Sequence, residues 1–151
     1  MTFQNAEFAA NRTNLESMLE FIEQQLHSLP ISEQERHKLL IASEEIAVNI
    51  INFAYPESSG KIRIEIAVQP DQFSLTFLDE GHPFNPLAHD EGDLTLPAEM
   101  REPGGLGIVM IKQLMEKVVY EYKEGKNKLT LLKSFHTTHR DPKAGASKVT
   151  P

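Results

Sequence analysis

Apolar residues recur along this chain at two different periods, and each change of period marks an element. Residues 2–9 read as a short edge strand. Over 11–29, Leu15, Met18, Leu19, Ile22 and Leu26 fall at helical spacing, and Pro30 closes the run. Ser32-Glu33-Gln34-Glu35 has the form of a capping box. It predicts a second helix running to about residue 54, stopped by Pro56 and the turn at Ser58-Ser59-Gly60. The period then becomes two. Ile62, Ile64, Ile66 and Val68 alternate with Arg63 and Glu65, and Phe73, Leu75 and Phe77 alternate after Pro70-Asp71, as in a hairpin with one buried face. Residues 80–103 have no period and are broken by Gly81, Pro83, Pro86, Gly92, Pro97 and Pro103; a loop this long is functional or disordered. Helical spacing returns over 104–117 with Leu106, Val109, Met110 and Leu114. Residues 118–122 and 129–135 read as two strands around a Gly125-Lys126-Asn127 turn. The polar tail, 136–151, reads as disordered, leaving one domain over 1–135. Strands grouped apart from helices predict an α+β, two-layer sandwich: a mainly antiparallel sheet covered on one face by helices.

Polar exceptions in these runs are the candidates for chemistry. From Leu39 to Ala54 the second helix is almost wholly apolar, yet Glu45 and Asn49 lie one helical step apart, with Asn52 three further on. A half-buried polar group left unsatisfied costs about 1–3 kcal/mol, and a metal ion, a phosphate or a network would satisfy it. Taken alone, the stripe reads more simply as the exposed helix edge, since Lys38 lies near the same line; Glu44 reads as solvated. Asp79 ends the second strand before Glu80-Gly81. A carboxylate there can accept from an exocyclic amine, and the glycine lets a flat ring approach the backbone, although Asp and Gly also make ordinary turns. Gly104-Gly105-Leu106-Gly107 opens the third helix, where bare backbone N–H groups and the helix N-terminus favour an anion. The alternative is a flexible helix start. The loop is neither a P-loop nor a dinucleotide fingerprint, and His27, His37, His82 and His89 fall at no zinc spacing.

Composition narrows the class. The 151 residues suit one domain and include no cysteine, which excludes disulfides and thiolate metal sites. A net charge of −7 argues against binding a nucleic-acid backbone. No window approaches the roughly 18 apolar residues of a membrane span, and residues 1–10 lack a secretion signal. A soluble, cytoplasmic protein with no direct nucleic-acid or membrane partner is expected.

Together the three motifs are far more specific than any one. Glu45-x-x-x-Asn49-x-x-x-x-Ala54-Tyr55, then Asp79-x-Gly81-x-Pro83-Phe84, then Gly104-Gly105-Leu106-Gly107 resemble the GHKL ATPase superfamily over about residues 2–135. Within it, the chain resembles the anti-sigma factor serine-protein kinases of bacterial partner-switching systems. The resemblance implies ATP and Mg²⁺ as cofactors. It implies Asn49 as the metal ligand and Glu45 as the general base toward an incoming hydroxyl. Asp79 would accept from the adenine amino group with Gly81 beside the ring, and the Gly104, Gly105, Leu106 and Gly107 backbone would meet the phosphates. Residues 85–103 would form a lid, with Arg101 close enough to the glycines to reach a γ-phosphate. One position departs from the pattern: many members carry His where this chain has Phe53.

The resemblance thus implies an ATP-dependent protein serine/threonine kinase and anti-sigma factor that phosphorylates an anti-anti-sigma (STAS-domain) partner. A sigma factor and a homodimer are the other expected partners, docking through the first helices and the exterior of the ATP site. The alternative is a catalytically weak, nucleotide-gated binding module in the same type of switch, which Phe53 keeps open. The catalytic half of a split histidine kinase ranks last, because no phosphoacceptor hairpin precedes the Glu-Asn motif.

Overall fold

A computed structural model describes residues 1–57, 60–86 and 106–135. Strands β1 (Thr2–Ala9), β2 (Lys61–Gln69), β3 (Gln72–Asp79), β4 (Lys117–Lys123) and β5 (Lys126–Ser134) form one sheet in the order β1-β2-β3-β5-β4, every pairing antiparallel. The helices are α1 (Leu15–His27), α2 (Glu33–Asn49) and α3 (Leu106–Leu114). Alternation turns Ile62, Ile64, Ile66, Phe73, Leu75, Phe77, Leu129 and Leu131 to one face. There they form a single core with Met18, Ile22, Leu26, Leu39, Ile46 and Ile111 of the helices. Complete burial of such a side chain contributes about 1.5–3 kcal/mol, so this shared face holds the two layers together. The expected α+β sandwich is the observed one. No helix among the described residues is long and apolar enough to cross a membrane.

Three boundaries differ from the periodicity, each for a local reason. Helix α1 starts at Leu15 because Asn11 Oδ1 accepts from Asn14 N (3.1 Å) and Thr13 Oγ1 (2.6 Å), closing a 3₁₀ turn over Arg12–Asn14. Regular α-helix ends at Asn49, and a π turn over Ile50–Ala54 completes the run, with Tyr55 N bonded to Ile50 O at 3.3 Å. The last hairpin turns on Glu124 (φ 55°) and Gly125 (φ 79°) alone, because positive φ at both central residues makes the tight two-residue loop that suits twisted strands. Lys126 and Asn127 therefore belong to β5, not to the turn, and Lys117 already pairs with Leu132 in β4. The tail 136–151 and most of the expected lid, residues 87–103, lie outside the described residues.

The capping box of α2 forms as expected. Ser32 Oγ accepts from Glu35 N at 3.0 Å, and Ser32 N donates to Glu35 Oε1 at 2.9 Å. The other oxygen, Glu35 Oε2, meets Lys133 Nζ at 3.4 Å, and the lysine side chain is only 5% exposed. One carboxylate thus caps the helix and neutralises a cation on the core face of β5. Glu35→Ala is expected to cost about 3 kcal/mol, because it removes the cap and strands a buried ammonium, whereas Lys133→Met should be near neutral. Urea unfolding of both variants checks this; equal losses would contradict it.

Candidate functional site

The candidate residues gather where the C-terminal half of α2 meets the end of β3 and the start of α3. Ala54 and Tyr55 hold the backbone that leaves β3. Ala54 O accepts from His82 N at 2.7 Å. A Cβ on Gly81 would lie 2.3 Å from that same carbonyl oxygen, so only glycine lets the chain pass there. Tyr55 Oη accepts from Glu80 N at 2.8 Å and donates to Lys61 O at 2.9 Å. Burial, only partly offset by the Glu80 N–H, raises the phenol above its usual range, which keeps it a donor. The Ala54-Tyr55 pair is thereby the anchor of the strand-end loop.

Asp79 is 4% exposed, which is unusual for an aspartate. Its Oδ1 accepts from Gly81 N at 2.9 Å and from Asn127 Nδ2 at 2.8 Å. Oδ2 accepts from none of the described residues, so one oxygen is fixed and the other remains for a ligand. Desolvation raises the carboxyl above the ordinary aspartate value; the two N–H donors oppose that shift and the Glu80 charge adds to it.

Asn127 is the functional residue that the sequence reading missed, taking it for a turn. It is 2% exposed and lies beside Asp79 in register. Nδ2 donates to Asp79 Oδ1 and to His82 O, each at 2.8 Å. Oδ1 accepts from Phe84 N at 3.0 Å and from the Tyr120 hydroxyl. All four hydrogen-bonding positions of the amide are filled. Extending the Leu129–Leu131 alternation back by two residues would have placed Asn127 on the core face.

On α2, Asn49 is half-buried and its Nδ2 donates to Pro86 O at 3.4 Å; Oδ1 accepts from no described residue. The neighbouring Asn52 is exposed. Glu45 is half-buried and its Oε1 is shielded from solvent. A Cβ on Gly107 would lie 2.7 Å from that oxygen and 3.1 Å from Ala42 Cα. The third glycine of the loop therefore lets α3 close against α2 beside Glu45. The stripe is not a plain exposed edge, because α3 and the 82–86 segment cover two of its three members. Glu44 is exposed, as expected. Phe53 packs its ring on Phe84, with centroids 5.1 Å apart. Gly104, Gly105 and Arg101 lie outside the described residues, as does the side chain of Leu106.

These residues suit a nucleotide held through a cation. Asp79 Oδ2 suits an amino group, and Asn49 Oδ1 is a neutral oxygen of the kind hard cations take. No group of three or more His, Asp or Glu ligands gathers among the described residues. A cation here would thus rest on Asn49 and phosphate oxygens, as Mg²⁺ commonly does. A cavity of about 790 Å³ opens on the sheet face carrying Arg63, Glu65 and Leu78 and reaches the strand end, where Tyr55, Asp79 and Glu80 also line it. Its charges pair internally, with Arg63–Glu65 at 3.0 Å and Lys61–Glu7 at 3.9 Å, and Glu45 and Asn49 do not line it.

Among the described residues, a five-stranded antiparallel sheet packs under three helices, and the turn that ends the Glu45–Asn49 helix meets the loop after Asp79 at Gly81; this is the architecture of an ATPase domain of the GHKL type. The chain belongs to the histidine kinase-like ATPase domain family, whose model matches residues 8–133. It is similar to the serine/threonine-protein kinase BtrW of Bordetella bronchiseptica, 26% identical over 110 residues that cover 72% of this chain and 74% of that protein. It is also similar to the serine-protein kinase RsbW of Listeria monocytogenes, 32% identical over 92 residues that cover 58% of this chain and 59% of that one. The solved RsbU and RsbW domains of Rv1364c from Mycobacterium tuberculosis share the fold, with a TM-score of 0.60 at 13% identity, covering 88% of this chain and 32% of that chain.

Proposed function

We propose that this protein is an ATP- and Mg²⁺-dependent protein serine/threonine kinase that also acts as an anti-sigma factor. Its substrate would be a hydroxyl on an anti-anti-sigma, STAS-domain partner. The observation that carries the reading is the buried Asp79 carboxylate, held by one oxygen and open at the other, in a domain of the histidine kinase-like ATPase family. The kinase names of BtrW and RsbW support the reaction class.

Asp79 would accept from the adenine amino group, and Asn49 would hold the cation. ATP, when bound with Mg²⁺, supplies the phosphoryl group. Glu45 would take the proton from the partner's hydroxyl through Oε2, since Oε1 is turned toward α3. The backbone of the loop around Gly105 and Gly107 would meet the phosphates, and Arg101 would reach the γ-phosphate. Negative charge added to the partner would weaken that complex and free this protein for a sigma factor. A homodimer in the cytoplasm completes the proposal.

Labelled ATP with Mg²⁺ and the STAS partner should yield phosphoserine or phosphothreonine. Glu45→Ala should abolish the transfer while Mg·ATP binding stays within about twofold, and Asn49→Ala should weaken binding about tenfold. Unchanged turnover in Glu45→Ala would exclude it as the base. Phe53, committed to Phe84, favours a second reading, a nucleotide-gated binding module. Tight ATP binding without transfer to the partner would select it.

A further inference from the structure

We infer that Phe53 is a positioning residue that joins the two ends of the nucleotide site, so that base and cation bind cooperatively. This rests on the nucleotide reading proposed above and gives a role to the one position that departs from the motif pattern. The segment 81–86 runs against the end of α2 and its π turn in antiparallel order. His82 N donates to Ala54 O at 2.7 Å. The Phe84 ring meets the Phe53 ring with centroids 5.1 Å apart and planes inclined at 31°. Asn49 Nδ2 donates to Pro86 O at 3.4 Å. The segment forms neither helix nor strand, and Pro83 and Pro86 have no N–H to give, so contacts with its neighbours must hold it.

The π turn aims the ring. Tyr55 N bonds to Ile50 O, which keeps Ile50 and Ala54 in the core, each 1% exposed, and leaves Phe53 at 40%. A phenylalanine this exposed gains little from the core. It lies on Phe84 instead, which itself packs against the core. The Asn49–Pro86 bond is long for an amide donor, so the ring contact is the firmer tie between this segment and the end of α2. At the strand end, Asn127 Nδ2 donates to Asp79 Oδ1 and His82 O, and Asn127 Oδ1 accepts from Phe84 N. Direct contacts thus run from Asp79 through Asn127 to Phe84 and on to Phe53, one helical step from Asn49. A ligand amino group on Asp79 Oδ2 fixes the carboxylate, and with it the Asn127 amide and Phe84. Phe53 passes that order to the turn behind Asn49, so a cation meets an amide already held in place. By the same linkage the cation tightens the hold on the base.

The test titrates the full chain with ADP by calorimetry, once with a chelator and once with saturating Mg²⁺. The ratio of the two Kd values is the coupling factor; association of Mg²⁺ with free ADP is common to every variant and cancels between them. Phe53→Ala is expected to lower the factor at least about fivefold, and Phe53→Tyr, which keeps the ring, should restore it to within about twofold of wild type. Phe84→Leu should lower it too, and adding Phe53→Ala to that variant should lower it no further, because the effect runs through their contact. Circular dichroism confirms folding of each, and Phe53→Leu is a milder variant that should move the factor the same way. Without nucleotide, the Phe84 N–H should exchange with solvent faster in Phe53→Ala than in wild type. ADP binding weakened equally with and without Mg²⁺, leaving the ratio unchanged, would overturn the inference in favour of plain packing. A wild type that binds no ADP at all would remove the nucleotide reading and this inference with it.

Discussion

Asp79→Asn is expected to weaken Mg·ATP binding about tenfold or more, roughly 1.4 kcal/mol, while leaving the fold at least as stable as the wild type. Both existing bonds to Asp79 end on Oδ1, from Gly81 N and Asn127 Nδ2. An asparagine oxygen can occupy that position and accept both. Its amide nitrogen then falls where Oδ2 stood and presents donors to a ligand amino group, which is itself a donor. Recognition is lost and packing is kept.

The pH dependence follows from the raised carboxyl, which burial lifts above its usual range against the pull of its two donors. The unfolded chain ionises this group at its ordinary value, while the folded chain holds the proton to higher pH. Its contribution to stability is therefore complete below the ordinary aspartate range. It is lost as pH rises from there through the raised folded value, and it is level above that. Asp79→Asn should remove this falling segment. Urea unfolding across acidic pH, beside calorimetric titration with Mg·ATP, measures both effects. Wild-type affinity in the variant would refute Asp79 as the acceptor, and a stability loss at neutral pH would refute the assignment of both bonds to Oδ1.

Asn127→Ala is expected to be the more damaging of the two, lowering stability by about 3 kcal/mol and weakening Mg·ATP binding about tenfold. The change deprives four groups at once: Asp79 Oδ1, His82 O, Phe84 N and the Tyr120 hydroxyl. Groups closed off from water carry the full cost of an unmade bond, whereas those nearer the surface recover some of it from solvent. Asp79 keeps only the Gly81 N–H, so its carboxylate loses a fixed direction. The segment 82–84 loses its tie to the sheet. Thermal melts with and without Mg·ATP read both effects, and a variant that melts like the wild type would show that the network contributes little.

Much of the fold was legible because burial imposes a period. The two-residue alternation of Ile62–Val68 and Phe73–Phe77 placed β2 and β3, and the Ser32/Glu35 box placed the start of α2, since each pattern needs only neighbours in sequence. Boundaries were less legible where a side chain or turn decided them. Asn11 delays α1 by closing a 3₁₀ turn, and Glu124-Gly125 makes the tight loop that moves Asn127 into β5.

The same division holds at the candidate site. The sequence by itself determined which residue types stand ready: a carboxylate and an amide one helical step apart, an aspartate at a strand end, and glycines at a helix start. Only the tertiary structure decided what they meet. It set Asp79 beside Asn127 across β3 and β5, brought Gly107 against Glu45, and threaded Gly81 past Ala54. The reason is physical. Local spacing is fixed by backbone geometry over a few residues, whereas Asp79 and Asn127 are 48 positions apart and meet only when the sheet closes around one core.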